Sequence, residues 1–215
     1  ILSRNYSIVA KNLLVGDCGQ YGVALTGGGD YQFDHFTIAN YWDLEIRQTP
    51  AFYMNNAYRD ITNTLQIRSI TNSTFINGII HGANENEFLL EFNDLQLPDL
   101  LTFRNTMFRT DQSTSNTEYF PDPGTIYRNQ NPGFRDVSAR DFHFNENAFP
   151  FDRAVSTVNP FTVFDLDGVD RGSNGTRDLG CYEAVPYPTS VPARTASYPH
   201  HRHSHQARAV AWSRT

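Results

Sequence analysis

Tyr31-Gln-Phe-Asp-His-Phe-Thr-Ile-Ala-Asn40 is followed by two phrases of the same make, Gln66-Ile-Arg-Ser-Ile-Thr-Asn-Ser-Thr-Phe-Ile-Asn77 and Leu101-Thr-Phe-Arg-Asn-Thr-Met-Phe-Arg109. Superposing Thr37, Thr74 and Thr106 sets the phrases 37 and 32 residues apart. Spacings of that size belong to stacked repeats, each too small to bury its apolar face alone. Each phrase mixes alternation with a short apolar run, as a strand buried on one face and then bending does. The expected inward residues are Phe33, Phe36 and Ile38, then Ile67, Ile70, Phe75 and Ile79, then Leu101, Phe103, Met107 and Phe108. Asn40, Asn77 and Asn105 fit turns, because Asn tolerates the left-handed region. Stacked at equivalent places, such amides are expected to satisfy one another along the stack.

Composition agrees with strands and turns. The 215 residues include 16 Phe, 11 Tyr, a single lysine (Lys11) and two Met, and 39% are hydrophobic. The net charge of −6 is uneven: residues 1–183 carry all 23 acids against 13 bases, while residues 184–215 carry four Arg, four His and no acid. An acidic body argues against nucleic-acid binding, which needs clustered Lys and Arg. No apolar run is long enough to span a membrane. Cys18 and Cys181 are far apart in sequence, and two free thiols are expected.

Three regions follow: strand repeats with insertions over 1–135, short cap strands over 136–183, and a disordered, Pro-, Ser-, Arg- and His-rich tail over 184–215. The insertions span 41–64 and 84–98, and residues 110–135 read as a polar stretch leaving the repeats. Solenoids need caps because an open end exposes strand edges. Gly27-Gly28-Gly29 is read as a tight turn and not a phosphate loop, since no Lys-Ser/Thr follows. The opening Ile1-Leu-Ser-Arg-Asn-Tyr-Ser-Ile-Val-Ala10 reads like mid-repeat sequence, so preceding rungs of the same protein are an expected partner.

The phrases Tyr21-Gly-Val-Ala-Leu-Thr26, Asn40-Tyr-Trp42, Arg47-Gln-Thr-Pro50, Tyr53-Met-Asn-Asn56, Phe75-Ile-Asn-Gly-Ile-Ile80 and Asn86-Glu-Phe-Leu-Leu90 resemble right-handed parallel β-helix repeat proteins of the Bacteroidota. The ending Asp165-Leu-Asp-Gly168, Arg171 and Asp178-Leu-Gly-Cys-Tyr-Glu183 is similar to the close of their choice-of-anchor domains. Ala148-Phe-Pro-Phe-Asp-Arg-Ala154 departs from the family's segment there, and Cys181 replaces a small Ala. The resemblance covers about residues 5–183. It implies an all-β, right-handed parallel β-helix and an extracellular or outer-membrane location.

Four sets of residues suit chemistry. Asp34, His35, Arg68 and Arg104 occupy matching parts of the phrases and suit an outward acid–base patch on a glycan-cleaving β-helix; they equally suit a solvated strand face. Tyr41, Trp42, Arg47, Tyr53, Asn55 and Asn56 combine aromatic faces with amide and guanidinium donors, the pattern of sugar recognition on a long loop. Asp165, Asp167 and Asp170 flank Gly168 and offer carboxylates for Ca²⁺, or simply for a turn. His200, His201, His203 and His205 are spaced for adventitious metal binding. The expectation is a secreted or surface-displayed, glycan-binding or adhesive scaffold without catalysis. A polysaccharide lyase or glycoside hydrolase is the alternative.

Overall fold

The computed structural model describes residues 1–93, 95, 98, 100–156, 162–172 and 176–185. The tail beyond residue 185, with its four histidines, lies outside the described residues. The strands are β1 (Leu2–Arg4), β2 (Ser7–Gly16), β3 (Val23–Thr26), β4 (Asp30–Asn40), β5 (Phe52–Asn55), β6 (Ala57–Arg59), β7 (Leu65–Ile67), β8 (Ser73–Gly82), β9 (Phe88–Glu91), β10 (Leu101–Phe108) and β11 (Ile126–Arg128). No α-helix occurs among the described residues, and none there is long and apolar enough to cross a membrane.

All but the β6–β7 hairpin lie in two parallel sheets. The first has the order β1-β3-β5-β9 and the second β11-β10-β8-β4-β2. From β1 to β5 the chain alternates between the sheets, and it alternates again from β8 to β10. Two of these strands fall inside stretches expected as insertions, β5 within 41–64 and β9 within 84–98. They have four residues each, too short to show a period of two in the sequence. Residues 110–135 do not leave the repeats either: β11 pairs with β10 through Thr106–Ile126 and Phe108–Arg128.

The phrases are neighbouring strands, but their register differs from the Thr alignment. Phe33 stands beside Phe75, and Phe75 beside Phe103. The steps are therefore 42 and 28 residues, not 37 and 32. Thr37 falls beside Ile79, and Thr74 beside Gln32 and Thr102. Inward aromatics decide register because a slip by one residue would turn every one of them to the other face. Phe33, Phe75 and Phe103 stack at centroid separations of 5.1 and 4.7 Å. Phe52 and Phe88 of the first sheet stack at 5.5 Å, and Phe52 meets Phe75 edge-on at 5.4 Å across the interior. Truncating one such ring costs about 3–5 kcal/mol. Gly78 makes room for this packing, since a Cβ there would run into the Phe36 ring.

One column of residues reshapes the second sheet. Asn12, His35, Asn77 and Asn105 lie opposite one another and have φ of 48°, 51°, 58° and 45°. Each puts a left-handed residue into its strand, so two successive side chains point outward and the alternation shifts by one. Before the column Phe33, Phe75 and Phe103 face inward; after it Phe36, Ile38, Ile80 and Phe108 do. Leu14, Ala39, Ile79 and Met107, one per strand, turn outward under residues 134–184.

That C-terminal segment crosses the outer face of the second sheet instead of closing an end of the stack. Phe142, Cys181 and Tyr182 cover Leu14 and Ala39, and Phe144 and Leu179 cover Ile79 and Met107. The column binds the segment's backbone. Asn105 Nδ2 donates to Arg153 O (2.8 Å), Asn77 Nδ2 donates to Val155 O (2.9 Å) and its Oδ1 accepts from Val155 N (2.8 Å). Asn12 Nδ2 donates to Phe164 O (2.7 Å), and His35 Nδ1 lies 3.3 Å from Gly180 O. The amides were expected to satisfy one another; within the column only Asn77 and His35 touch, at 3.2 Å. Cys181 is buried and Cys18 half-buried, and both are free thiols.

Candidate functional site

The short strands of the first sheet point Val23, Leu25, Phe52, Met54, Phe88 and Leu90 into the core. Alternation then forces their neighbours outward in two registered rows. One row is Leu2, Ala24, Tyr53 and Leu89; the other is Arg4, Thr26, Asn55 and Glu91. Tyr21 lies against Tyr53 at a centroid separation of 5.3 Å and 34° between planes. The Tyr53 hydroxyl donates to Glu91 Oε2 (2.6 Å) and accepts from Asn55 Nδ2 (2.9 Å), while Asn55 Oδ1 accepts from Gly27 N (2.9 Å). Burial, and then the Glu91 carboxylate that takes its proton, push the Tyr53 hydroxyl up to about 12. Two aromatic faces, an amide and a carboxylate thus share one outer surface in fixed positions.

A second concavity forms where the strands of the second sheet end. His81, Glu85, Arg109, Asp111, Asn129, Gln130 and Asn131 line a cleft of about 620 Å³. Its walls are tied to backbone: Arg109 Nη1 donates to Gly82 O (2.6 Å), and Asn129 accepts from Thr110 N (2.8 Å) and donates to Thr110 O (3.1 Å). Asn86 Nδ2 donates to Asp111 Oδ2 (3.0 Å). His81 Nδ1 lies 2.8 Å from the Tyr41 hydroxyl. Burial, and secondarily the Arg109 charge, lower the His81 imidazole to about 4, so it is neutral at pH 7.

The six residues expected to bind a sugar separate in the structure. Tyr53 and Asn55 stay together on the open face. Tyr41 packs between His81 and Phe142 at 6.0 and 6.2 Å. Trp42 covers Gly19. Asn56 is buried, and its Oδ1 accepts from Asn93 N (2.8 Å). Arg47 is buried too: it pairs with the Glu87 carboxylate and donates to Asn40 O (3.0 Å). Glu87 Oε2 also accepts from Ala51 N (2.8 Å). Arg47 therefore ties the β4–β5 connection to β9, and the expectation of a sugar-facing guanidinium is corrected.

Nor do the acid–base candidates converge. His35 is fully buried against the C-terminal segment, and burial, then the Arg171 charge, depress it to about 2. Asp34 Oδ1 accepts from Asn77 Nδ2 (3.2 Å) and lies 4.0 Å from His35 Nε2. Arg104 is exposed in the row of Asp34 but beyond Ile76, which places it two strands, about 9–10 Å, away. Arg68 follows β7, where its backbone N donates to Asn56 O (2.8 Å).

The three aspartates hold turns. Asp165 Oδ1 accepts from Asp167 N and Val169 N (2.9 and 2.7 Å), and its Oδ2 from Glu183 N (2.9 Å). Asp167 reaches His143 Nε2 at 2.8 Å, and Asp170 caps Gly172 N at 2.8 Å. Beneath them the buried Arg171 pairs with Glu183 at 2.6 Å and donates to Asn12 Oδ1 (2.8 Å). So Arg171, named only for the resemblance of the ending, joins the C-terminal segment to β2.

Sequence reasoning missed Tyr21, Glu91 and the whole His81–Arg109–Asn131 cleft. The available signal was position: polar residues crowd just after the second-sheet strands, at 84–86, 110–112 and 129–131. No family model matches the chain, and neither a curated protein nor a solved structure matches it.

Proposed function

We propose that this chain is a stretch of right-handed parallel β-helix from a secreted or surface-displayed protein, and that it binds a glycan without cleaving it. The regular exchange between two parallel sheets supports the helix, and parallel crossovers are right-handed in nearly all proteins. The reading of function rests on one observation, the Tyr21–Tyr53 pair flanked by Asn55 and Glu91 on the open face. Aromatic faces stack on the apolar faces of sugar rings, and fixed amide and carboxylate groups orient the hydroxyls. A preset platform also limits the ordering cost of binding.

The test is retention of the chain on a panel of immobilised polysaccharides, with reducing-end products assayed in parallel. Retention without products, lost in Tyr53→Ala, is the expected result. Cleavage products would favour the polysaccharide-degrading alternative, with Glu85 and Asp111 of the cleft as first suspects. Absence of retention across the panel would overturn the reading.

A further inference from the structure

We infer that the Tyr21–Tyr53 platform is one end of an extended track, and that its ligand is a long, uncharged polysaccharide chain. This inference rests on the glycan-binding reading above and specifies its ligand.

The track is continuous in its lining. Leu89, the strand neighbour of Tyr53, lines a cleft of about 500 Å³ together with Gln48, Pro50 and Gln112. That cleft shares Asp111 with the cleft of about 620 Å³ around Arg109. The latter shares Gln130 and Asn131 with a third, of about 580 Å³, which reaches Phe149 and Arg153. There the Arg153 guanidinium lies 4.2 Å over the Phe149 ring, so an aromatic closes this end as Tyr53 closes the other. The connections after β8, β10 and β11 sit on neighbouring strands, so the middle of the track alone spans about 10 Å. A single sugar ring would leave most of it unfilled.

Its chemistry selects against charge. Side-chain amides outnumber the charged groups along the three clefts. In the middle, Glu85 and Asp111 face the one guanidinium of Arg109, and His81 is neutral at pH 7. A polyanionic chain would meet two carboxylates for each cation. Hydroxyls, by contrast, both donate and accept, and amides answer both roles. The Asn129 amide is bonded to backbone at both of its atoms, so that wall is organised before any ligand arrives.

The test is calorimetry of the chain with neutral glucan, mannan and xylan oligosaccharides of two to eight units, and with hexagalacturonate. Affinity for at least one neutral series should rise at least tenfold from two to six units, and hexagalacturonate should bind at least tenfold more weakly than the neutral hexamer. The double variant Gln130→Ala/Asn131→Ala should flatten the dependence on length, with its thermal melt checked beside the parent's. A parent whose affinity does not change beyond two units, a preference for hexagalacturonate, or a length dependence kept by the double variant would each overturn the track while leaving the platform standing. Absence of binding by every oligosaccharide would overturn track and platform together.

Discussion

The two sheets share one core but treat their outer faces in opposite ways. The second sheet hides the later part of its strands under residues 134–184; the first leaves Tyr53, Asn55 and Glu91 open. Both sheets carry outward apolar side chains, so hydrophobicity does not separate them. The left-handed column does. Asn12, His35, Asn77 and Asn105 break the alternation and present polar atoms to the backbone of a crossing segment. The three- and four-residue strands of the first sheet have no such residue, and no backbone is held there.

The contrast can be broken most severely at Arg171. Arg171→Ala would leave Glu183 buried without its cation, and such losses cost about 3–5 kcal/mol. Urea unfolding should register this, with proteolysis of residues 134–185 preceding that of the strands. A smaller loss, without early cleavage, would mean that the segment is held by packing alone.

Asn77 comes next. Asn77→Ala removes both bonds to Val155 and puts an ordinary residue at positive φ, for about 2–4 kcal/mol together. Asn77→Gly keeps the backbone comfortable and should recover about 1 kcal/mol of that. Equal losses in the two variants would show that the left-handed turn itself costs nothing here.

His35 gives the contrast a pH dependence. Its native form takes a proton only near pH 2, the unfolded chain near 6.5. Between those values the unfolded state holds more protons, so stability falls as pH falls below about 6.5, by about 1.4 kcal/mol per unit. His81, native value about 4, adds the same dependence between 6.5 and 4. His35→Asn extends the amide column and should halve the slope measured by urea titrations at pH 7, 6 and 5. An unchanged slope would show that His35 is not held neutral by the covering segment.

Tyr53→Ala should have the smallest effect on stability, less than about 1 kcal/mol, because the half-buried ring holds no other segment in place. It should still lower glycan retention at least tenfold. A destabilisation as large as that of Asn77→Ala would make Tyr53 a packing residue and remove the basis of the platform.

The phrases around Phe33, Phe75 and Phe103 were legible because long strands repeat an apolar pattern that sequence alone displays. Register was misread from Thr, a residue that sits equally well on either face; the Phe rings, which cannot, mark the true alignment. β5 and β9 were read as loop because four residues carry too little periodicity. Arg47 and Tyr53 stood six residues apart in one aromatic, polar stretch and looked alike as ligands. A buried carboxylate forty residues later, Glu87, claimed the arginine and not the tyrosine.

By itself the sequence determined the all-β character, the stacking of the three phrases and the placement of left-handed turns at Asn77 and Asn105, because alternation and Asn propensity are local properties. Only the tertiary structure decided which outer face is covered, which polar residues are consumed by buried partners and which polar turns meet in one cleft. Those outcomes depend on pairings between residues up to 159 positions apart, as in Asn12 with Arg171, which no local pattern encodes.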